Sequence, residues 1–305
     1  MIEHLELRAY GKINLGLDVV KKREDGYHEV RMIMQTVGLY DKIIMERRRR
    51  PGIRVETNLP YVPSGEGNLA WRAAKLLTDE FGLDGGVYIS VWKKIPVAGG
   101  MAGGSTDAAA VLVGMNRLFR LGLTKRALME RGVSLGADVP YCILRGTALS
   151  EGIGERLSPL PPAPDCSVLL AKPQISVSTK AVYGSLKVDE LLPSQHPDID
   201  GMAEAIREEN LDGVIERLGN VLETVTIPAH PEIGRIKEHM LKNGADGALM
   251  SGSGPTVFGL FKEQRAARDA FYALREAEEG RLVRQVYLTR LFRPGGSERR
   301  EGRSR

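Results

Sequence analysis

From Leu5 to Val20 apolar and polar residues alternate. Ile13, Leu15, Leu17 and Val19 fall on one face and Lys12, Asn14, Gly16 and Asp18 on the other, which is the period of a strand. Asp25-Gly26 is a tight-turn signal, so Tyr27 and His28 begin the returning arm of a hairpin. Strand patterns continue over 30–46 and 53–57, and the run Arg47-Arg48-Arg49-Arg50-Pro51-Gly52 between them predicts a solvated hairpin tip. A helical period takes over from Asn68 to Phe81, where Leu69, Ala73, Leu76 and Leu77 form an apolar stripe. Val87 to Trp92 reads as a strand. Beyond it, Val111, Leu112, Met115, Leu118 and Phe119 recur as one buried helix face, and another helix is predicted over Leu123–Leu135 with Gly136 as its stop.

Pro159-Leu160-Pro161-Pro162-Ala163-Pro164 interrupts these patterns and predicts a linker, dividing the chain into domains at 1–160 and 161–293. The second half opens with an apolar strand, Ser167 to Ala171, followed by helical segments near 200–222 and 231–243. A loop of small residues, Met250-Ser251-Gly252-Ser253-Gly254-Pro255-Thr256, leads into a strand at Val257–Phe261; a helix over 264–279 and a strand over 282–290 close the fold. The charged, glycine-rich tail at 294–305 is expected to be disordered.

Length and composition agree with that division. A chain of 305 residues is long for one core, and 42% hydrophobic with 27% charged residues is the balance of a soluble globular protein. The net charge of +4 suits an anionic small substrate better than it argues for nucleic acid. Positive charge concentrates in the arginine run and the tail without interleaved aromatics, which disfavours the rival reading of an RNA-binding module. Cys142 and Cys166 have no metal-type spacing and read as reduced thiols of a cytoplasmic protein. The first residues lack the basic and apolar regions of a signal peptide, and no apolar run is long enough to cross a bilayer, so no membrane partner is expected.

The chemistry concentrates in Pro96-Val97-Ala98-Gly99-Gly100-Met101-Ala102-Gly103-Gly104-Ser105-Thr106, which runs straight into a helical pattern. Glycine lets a backbone approach a ligand closely, and a helix start offers unpaired N–H groups and the positive end of a dipole. Together they make a phosphate cradle. No lysine precedes Ser105-Thr106, which excludes a P-loop; the G-x-G-x-x-G spacing fails as well, and protein-kinase landmarks are missing.

Pro96 to Ala108 resembles the glycine-rich signature of the GHMP kinases. Ala9-Tyr10-Gly11-Lys12-Ile13-Asn14-Leu15 resembles that family's first motif, and Gly247 to Thr256 its third. Arg23 to His28 and Leu135 to Pro140 are similar to the branch that phosphorylates a cytidine-diphosphate-linked methylerythritol with ATP. Met101 and Thr106 depart from the pattern only by near-equivalent residues.

The resemblance implies an α+β, two-domain GHMP kinase fold, with an N-terminal domain like ribosomal protein S5 domain 2, a ferredoxin-like C-terminal domain and the site in the cleft between them. It implies Asp138 as general base with Lys12 as its cationic partner. ATP is expected along residues 96–106, with Asn68 and Lys93 near the adenosine, although Lys93 could equally face solvent. Ser105 and Thr106 hydroxyls are candidates for phosphate or magnesium, and Asp107 should point aside. Asn14, Tyr27, His28, Thr179 and Tyr183 are the expected substrate contacts, with Tyr27 and Tyr183 against the two faces of cytosine. Magnesium is implied by ATP, but its protein ligands are not. The partner is a small molecule and the protein a monomer or weak homodimer.

Overall fold

The hairpin expected at the start of the chain is present and long. Strand β1 (His4–Lys22) and strand β2 (His28–Arg48) are joined at Gly26, which adopts φ 84°. Asp25 shapes the turn by accepting Arg23 Nη2 at 2.7 Å and the Tyr27 amide at 3.1 Å. The structure, a computed structural model, describes residues 3–276 and 282–294, so most of the predicted tail and the end of the last predicted helix lie outside the described residues. The chain forms two units. The first contains Met1–Gly11, Leu39–Val97 and Ala102–Leu144; the second contains Lys12–Gly38, Ala98–Met101 and Arg145–Arg305.

In the first unit, β4 (Gly86–Trp92) pairs antiparallel with the end of β2 and parallel with β3 (Ile53–Thr57). The arginine run is therefore not a hairpin tip. Strand β4 lies between β2 and β3, and its first residue must be glycine: a Cβ on Gly86 would stand 2.2 Å from Arg50 O. Arg47 and Arg48 are the last residues of β2, with guanidinium carbons 5.0 Å and 5.2 Å from the Phe119 and Tyr88 ring centres. Helix α1 (Leu69–Phe81) starts at Asn68, whose side chain accepts from the Ala70 amide, and stops at Gly82 in the left-handed region. It packs on α2 (Gly103–Leu118), whose buried positions include Val111, Leu112, Met115 and Leu118. Helices α3 (Lys125–Gly132) and α4 (Val139–Leu144) complete this unit; the sequence pattern does not announce the second, a single short buried turn.

In the second unit, β5 (Thr147–Gly152) pairs with the start of β2, and β6 (Arg156–Leu160) pairs with β5. Pro159 and Leu160, expected in the linker, are thus in a strand. Pro159 sits opposite Ala148 on the edge strand β6, where the missing amide donor costs little. A four-stranded antiparallel sheet follows, ordered β11 (Gln285–Arg290), β7 (Ser167–Lys172), β10 (Val257–Phe261) and β9 (Gly247–Met250). Its apolar residues Val168, Leu170, Phe258 and Leu260 are buried, and α9 (Pro231–Lys242) and α10 (Gln264–Glu276) pack on it.

Between β7 and α9 lie α5 (Thr179–Ser185), α6 (Ile199–Arg207), α7 (Leu211–Glu216), the two-residue β8 (Gly219–Asn220) and α8 (Glu223–Ala229). The single helical segment expected near 200–222 is broken. Glu209 adopts φ 54°, which ends α6, and Asn210 restarts the chain by capping the Gly213 amide at 2.9 Å. The break frees Gly219 and Asn220 to pair in parallel with Gly16 and Leu17 of β1.

Candidate active site

Three segments far apart in sequence meet in the second unit. The Lys12 amide donates to Met101 O at 3.2 Å, and Ser251 Oγ donates to Gly100 O at 3.0 Å. Gly100 must be glycine: a Cβ there would lie 2.1 Å from Ser251 O. Gly252 adopts φ 58°, and a Cβ on it would lie 3.2 Å from Gly100 O, 3.5 Å from Asn14 Oδ1 and 3.6 Å from Lys12 Nζ. Lys12 Nζ donates to Asn14 Oδ1 at 2.8 Å, and Asn14 Nδ2 approaches Met32 Sδ at 3.1 Å. Lys12 and Asn14 are buried, so strand β1 presents an ammonium and an amide inside the protein. Asn220 holds the third segment in place, donating to Met250 O at 2.9 Å and Gly252 O at 2.8 Å while accepting from the Leu222 amide.

The loop over Pro96–Ala102 has the backbone of an anion cradle. Left-handed residues alternate at Ala98 (φ 51°), Gly100 (φ 72°) and Ala102 (φ 57°). Alternating hands turn successive amides toward one side, forming a nest for an anion. Ala98 and Ala102 each hold that conformation at a cost of about 1–2 kcal/mol, strain of a kind that collects at ligand loops. Helix α2 then begins at Gly103 with no side-chain cap and no acidic residue in its first turn, leaving its positive end uncompensated. Ser105 is half-buried in this turn, whereas Thr106 Oγ1 donates to Tyr10 O at 2.7 Å in the interior. The Thr106 hydroxyl proton is thus committed to the backbone.

The expected adenosine residues are engaged within the first unit. Asn68 Oδ1 caps Ala70 at 2.8 Å and Nδ2 donates to Pro63 O at 2.6 Å, so both ends of its amide are used. Lys93 does not face solvent. It is buried, and its ammonium pairs with Asp41 and, at 2.6 Å, with Asp107 Oδ2. Burial opposes the Lys93 charge, but the two carboxylates outweigh it and raise its pKa. Asp107 turns aside from the loop, into this pair. Its pKa is raised well above the carboxylate range, first by burial and then by Asp41, against the pull of Lys93. Pro96 and Gly99 are buried, Val97 and Ala98 exposed. Asp138 is half-buried at the start of α4, where its carbonyl accepts the Cys142 amide at 3.0 Å.

The expected cytosine residues divide. In the second unit, His28 and Tyr183 rings lie 5.3 Å apart at 47°, while Tyr27 at the turn is 61% exposed. Burial, then the charge of Lys22, lowers the His28 pKa, so the imidazole is neutral at neutral pH. Thr179 opens α5 and shares a 2.8 Å hydrogen bond with Ser253, which ties this helix to the same glycine loop that backs Lys12. Among the described residues no group of three or more His, Cys, Asp or Glu gathers as a metal site, and no helix is long and apolar enough to cross a membrane.

Asp41, Asn58 and Asn220 are the positioning groups that motif reasoning missed. Asp41 did carry a signal, as it falls in step with Leu39, Ile43 and Met45 on the buried face of β2.

The family model for the GHMP kinase N-terminal domain matches residues 68–146, and the model for the GHMP kinase C-terminal domain matches 196–280. The chain belongs to the GHMP kinases. Within that family it is 56% identical to the 4-diphosphocytidyl-2-C-methyl-D-erythritol kinase of Lachnoclostridium phytofermentans, over 94% of this chain and 97% of the relative. It is 47% identical to the enzyme of that name from Bacillus subtilis, over 93% of this chain and 96% of the relative. A solved crystal structure of 4-(cytidine 5'-diphospho)-2C-methyl-D-erythritol kinase superposes with a TM-score of 0.79 at 34% identity, covering 94% of this chain and 99% of that one. The two-domain GHMP kinase fold and its mixed helix and strand content are thus those of this chain.

Proposed function

We propose that this protein transfers the terminal phosphoryl group of ATP to the 2-hydroxyl of 4-diphosphocytidyl-2-C-methyl-D-erythritol, a step in non-mevalonate isoprenoid precursor synthesis. The observation that carries the reading is the meeting of Lys12, the Ala98–Met101 loop and the Ser251–Gly252 loop, in a chain near half identical or better to relatives bearing that enzyme's name. The glycine loop and the start of α2 fit a polyphosphate, since both offer backbone amides and Gly100 leaves room where a side chain would not fit.

In this reading Asp138 accepts the proton of the substrate hydroxyl, whose oxygen attacks the γ-phosphorus, and ADP leaves. Lys12, oriented by Asn14, steadies negative charge during the transfer. His28 and Tyr183 form an aromatic pair suited to a cytosine, with His28 supplying a neutral imidazole edge, and Tyr27 closes from the exposed turn. Magnesium is implied by the use of ATP and would offset the phosphate charge there. Asn68 and Lys93 support the nucleotide region, with their side-chain polar atoms bonded within the protein. The protein works in the cytoplasm as a monomer or weak dimer.

An ADP-release assay offering the cytidyl-methylerythritol substrate beside mevalonate, homoserine and galactose tests this. The cytidyl alcohol should be turned over with a kcat/KM at least a hundredfold above the others. Faster turnover of any of the others would overturn the substrate assignment.

A further inference from the structure

We propose that Asp41, acting through Lys93, is a positioning residue that clasps the two ends of the nucleotide loop and thereby sets the affinity for ATP. The inference rests on the kinase reading above and adds residues that reading does not use. The loop runs from the end of β4 to the start of α2. At its entry, Asp41 Oδ1 accepts the amides of Lys94 and Ile95, the latter at 2.7 Å. Asn58 pairs with both backbone groups of Lys93, accepting its amide at 2.7 Å and donating to its carbonyl at 3.1 Å. Residues 93–95 are thus fixed one after another. At the exit, the Lys93 ammonium reaches Gly103 O at 3.3 Å and Asp107 Oδ2 at 2.6 Å, and it also pairs with Asp41. A single buried cation therefore ties both ends of the loop to one point on β2.

The stretch between those ends needs such a clasp. Its left-handed Ala98 and Ala102 are strained, and the amide nest exists only while the ends are held. Preorganised amides bind a polyphosphate without first being ordered, so loosening the clasp should appear as lost ATP affinity. The bonding pattern assigns the leading part to Asp41. Two buried carboxylates face one ammonium; Asp107 Oδ1 has no hydrogen-bond partner and its carboxyl is the one biased towards its proton by burial and by Asp41. Asp41 bonds to the Lys93 ammonium and to the Lys94 and Ile95 amides, so it touches both the cation and the loop entry.

The test compares Asp41→Asn with Asp107→Asn. The first keeps the shape and the acceptor for the two backbone amides but removes the carboxylate that joins Lys93 to the loop entry. Calorimetric titration with the magnesium complex of a non-hydrolysable ATP analogue should show Kd raised at least tenfold in Asp41→Asn and less than threefold in Asp107→Asn. Steady-state KM for ATP should follow, with KM for the cytidyl alcohol unchanged. Hydrogen exchange of amides 97–104 should quicken in Asp41→Asn while the sheet of β7 and β10 keeps its protection. Wild-type ATP affinity in Asp41→Asn would overturn the proposal, as would an equal rise in both substrates' KM with faster exchange throughout. Asn58→Ala, which removes only the two bonds to the Lys93 backbone, gives a second reading that does not depend on a buried charge. It should raise the analogue Kd three- to tenfold, and no change would also overturn the clasp. Because analogue binding needs no acceptor, a wild-type protein that fails to phosphorylate the cytidyl alcohol would sink the substrate assignment and leave this test intact.

Discussion

Asp138 and Cys166 are two polar residues that the apolar text around them makes conspicuous, and the structure treats them differently. Asp138 is half-buried ahead of α4. Asp138→Asn keeps the shape and removes the carboxylate proposed as the base, so turnover should fall at least about a hundredfold, the lower end for loss of a general base, with nucleotide Kd within twofold of wild type. Weakened ATP binding with turnover preserved would refute that role. Cys166 is buried, and burial, reinforced by Asp165, pushes its thiol up to about 12. At neutral pH it holds no thiolate, so a thiol reagent should label it in urea and leave it untouched in the native protein. Lys12 and Asn14 could be picked from the sequence because a charged and an amide residue recur on one face of an apolar strand. The Thr106 hydrogen bond could not be read in the same way, since its acceptor, Tyr10 O, lies 96 residues away in sequence.

Among the elements, the glycine-rich loop was the most legible and the arginine run the most misleading. The loop announces itself by composition, because only small residues can line a cradle of this tightness. What composition does not reveal is which glycine is indispensable. A methyl group added at Gly26 or Gly82 would meet nothing within 4 Å, whereas at Gly100 it would stand 2.1 Å from Ser251 O. Gly100→Ala should therefore part the two loops and raise KM for ATP at least tenfold, while Gly82→Ala leaves it unchanged; equal effects would show that the close approach is not what matters. The arginine run misled because a turn between two strands looks alike whether they pair with each other or with a third. Parallel pairing of β3 with β4 depends on a strand well further along the chain, at 86–92. Helices 199–207 and 211–216 merged in the sequence pattern for a related reason: Glu209 is an ordinary helix former whose left-handed conformation is imposed by its surroundings.

For the molecule as a whole, stability and pH are linked through groups whose proton affinity changes on folding. His28 binds its proton less well when folded, because burial and then the Lys22 charge lower its pKa below 6.5. The unfolded chain takes up that proton first, so stability falls as pH drops from 6.5 towards the folded value, with a slope of up to about 1.4 kcal/mol per pH unit. Urea denaturation across that range should show a shallower fall in His28→Gln, and an unchanged slope would exclude His28 as the source. The same imidazole, neutral above that range, is the one proposed to meet the cytosine.

Local pattern was sufficient for the strand and helix periods, the Asp25-Gly26 turn, the glycine loop and the kinship carried by the motifs, since each depends on neighbours within a few residues. Tertiary structure alone decided that Lys12, Gly100 and Gly252 share one point, that Thr106 and Asn68 spend their polar atoms on the backbone, and that Lys93 is held by Asp41 and Asp107. Those outcomes depend on which distant groups are left to satisfy a buried charge or amide, and burial makes an unsatisfied group costly enough to choose among them.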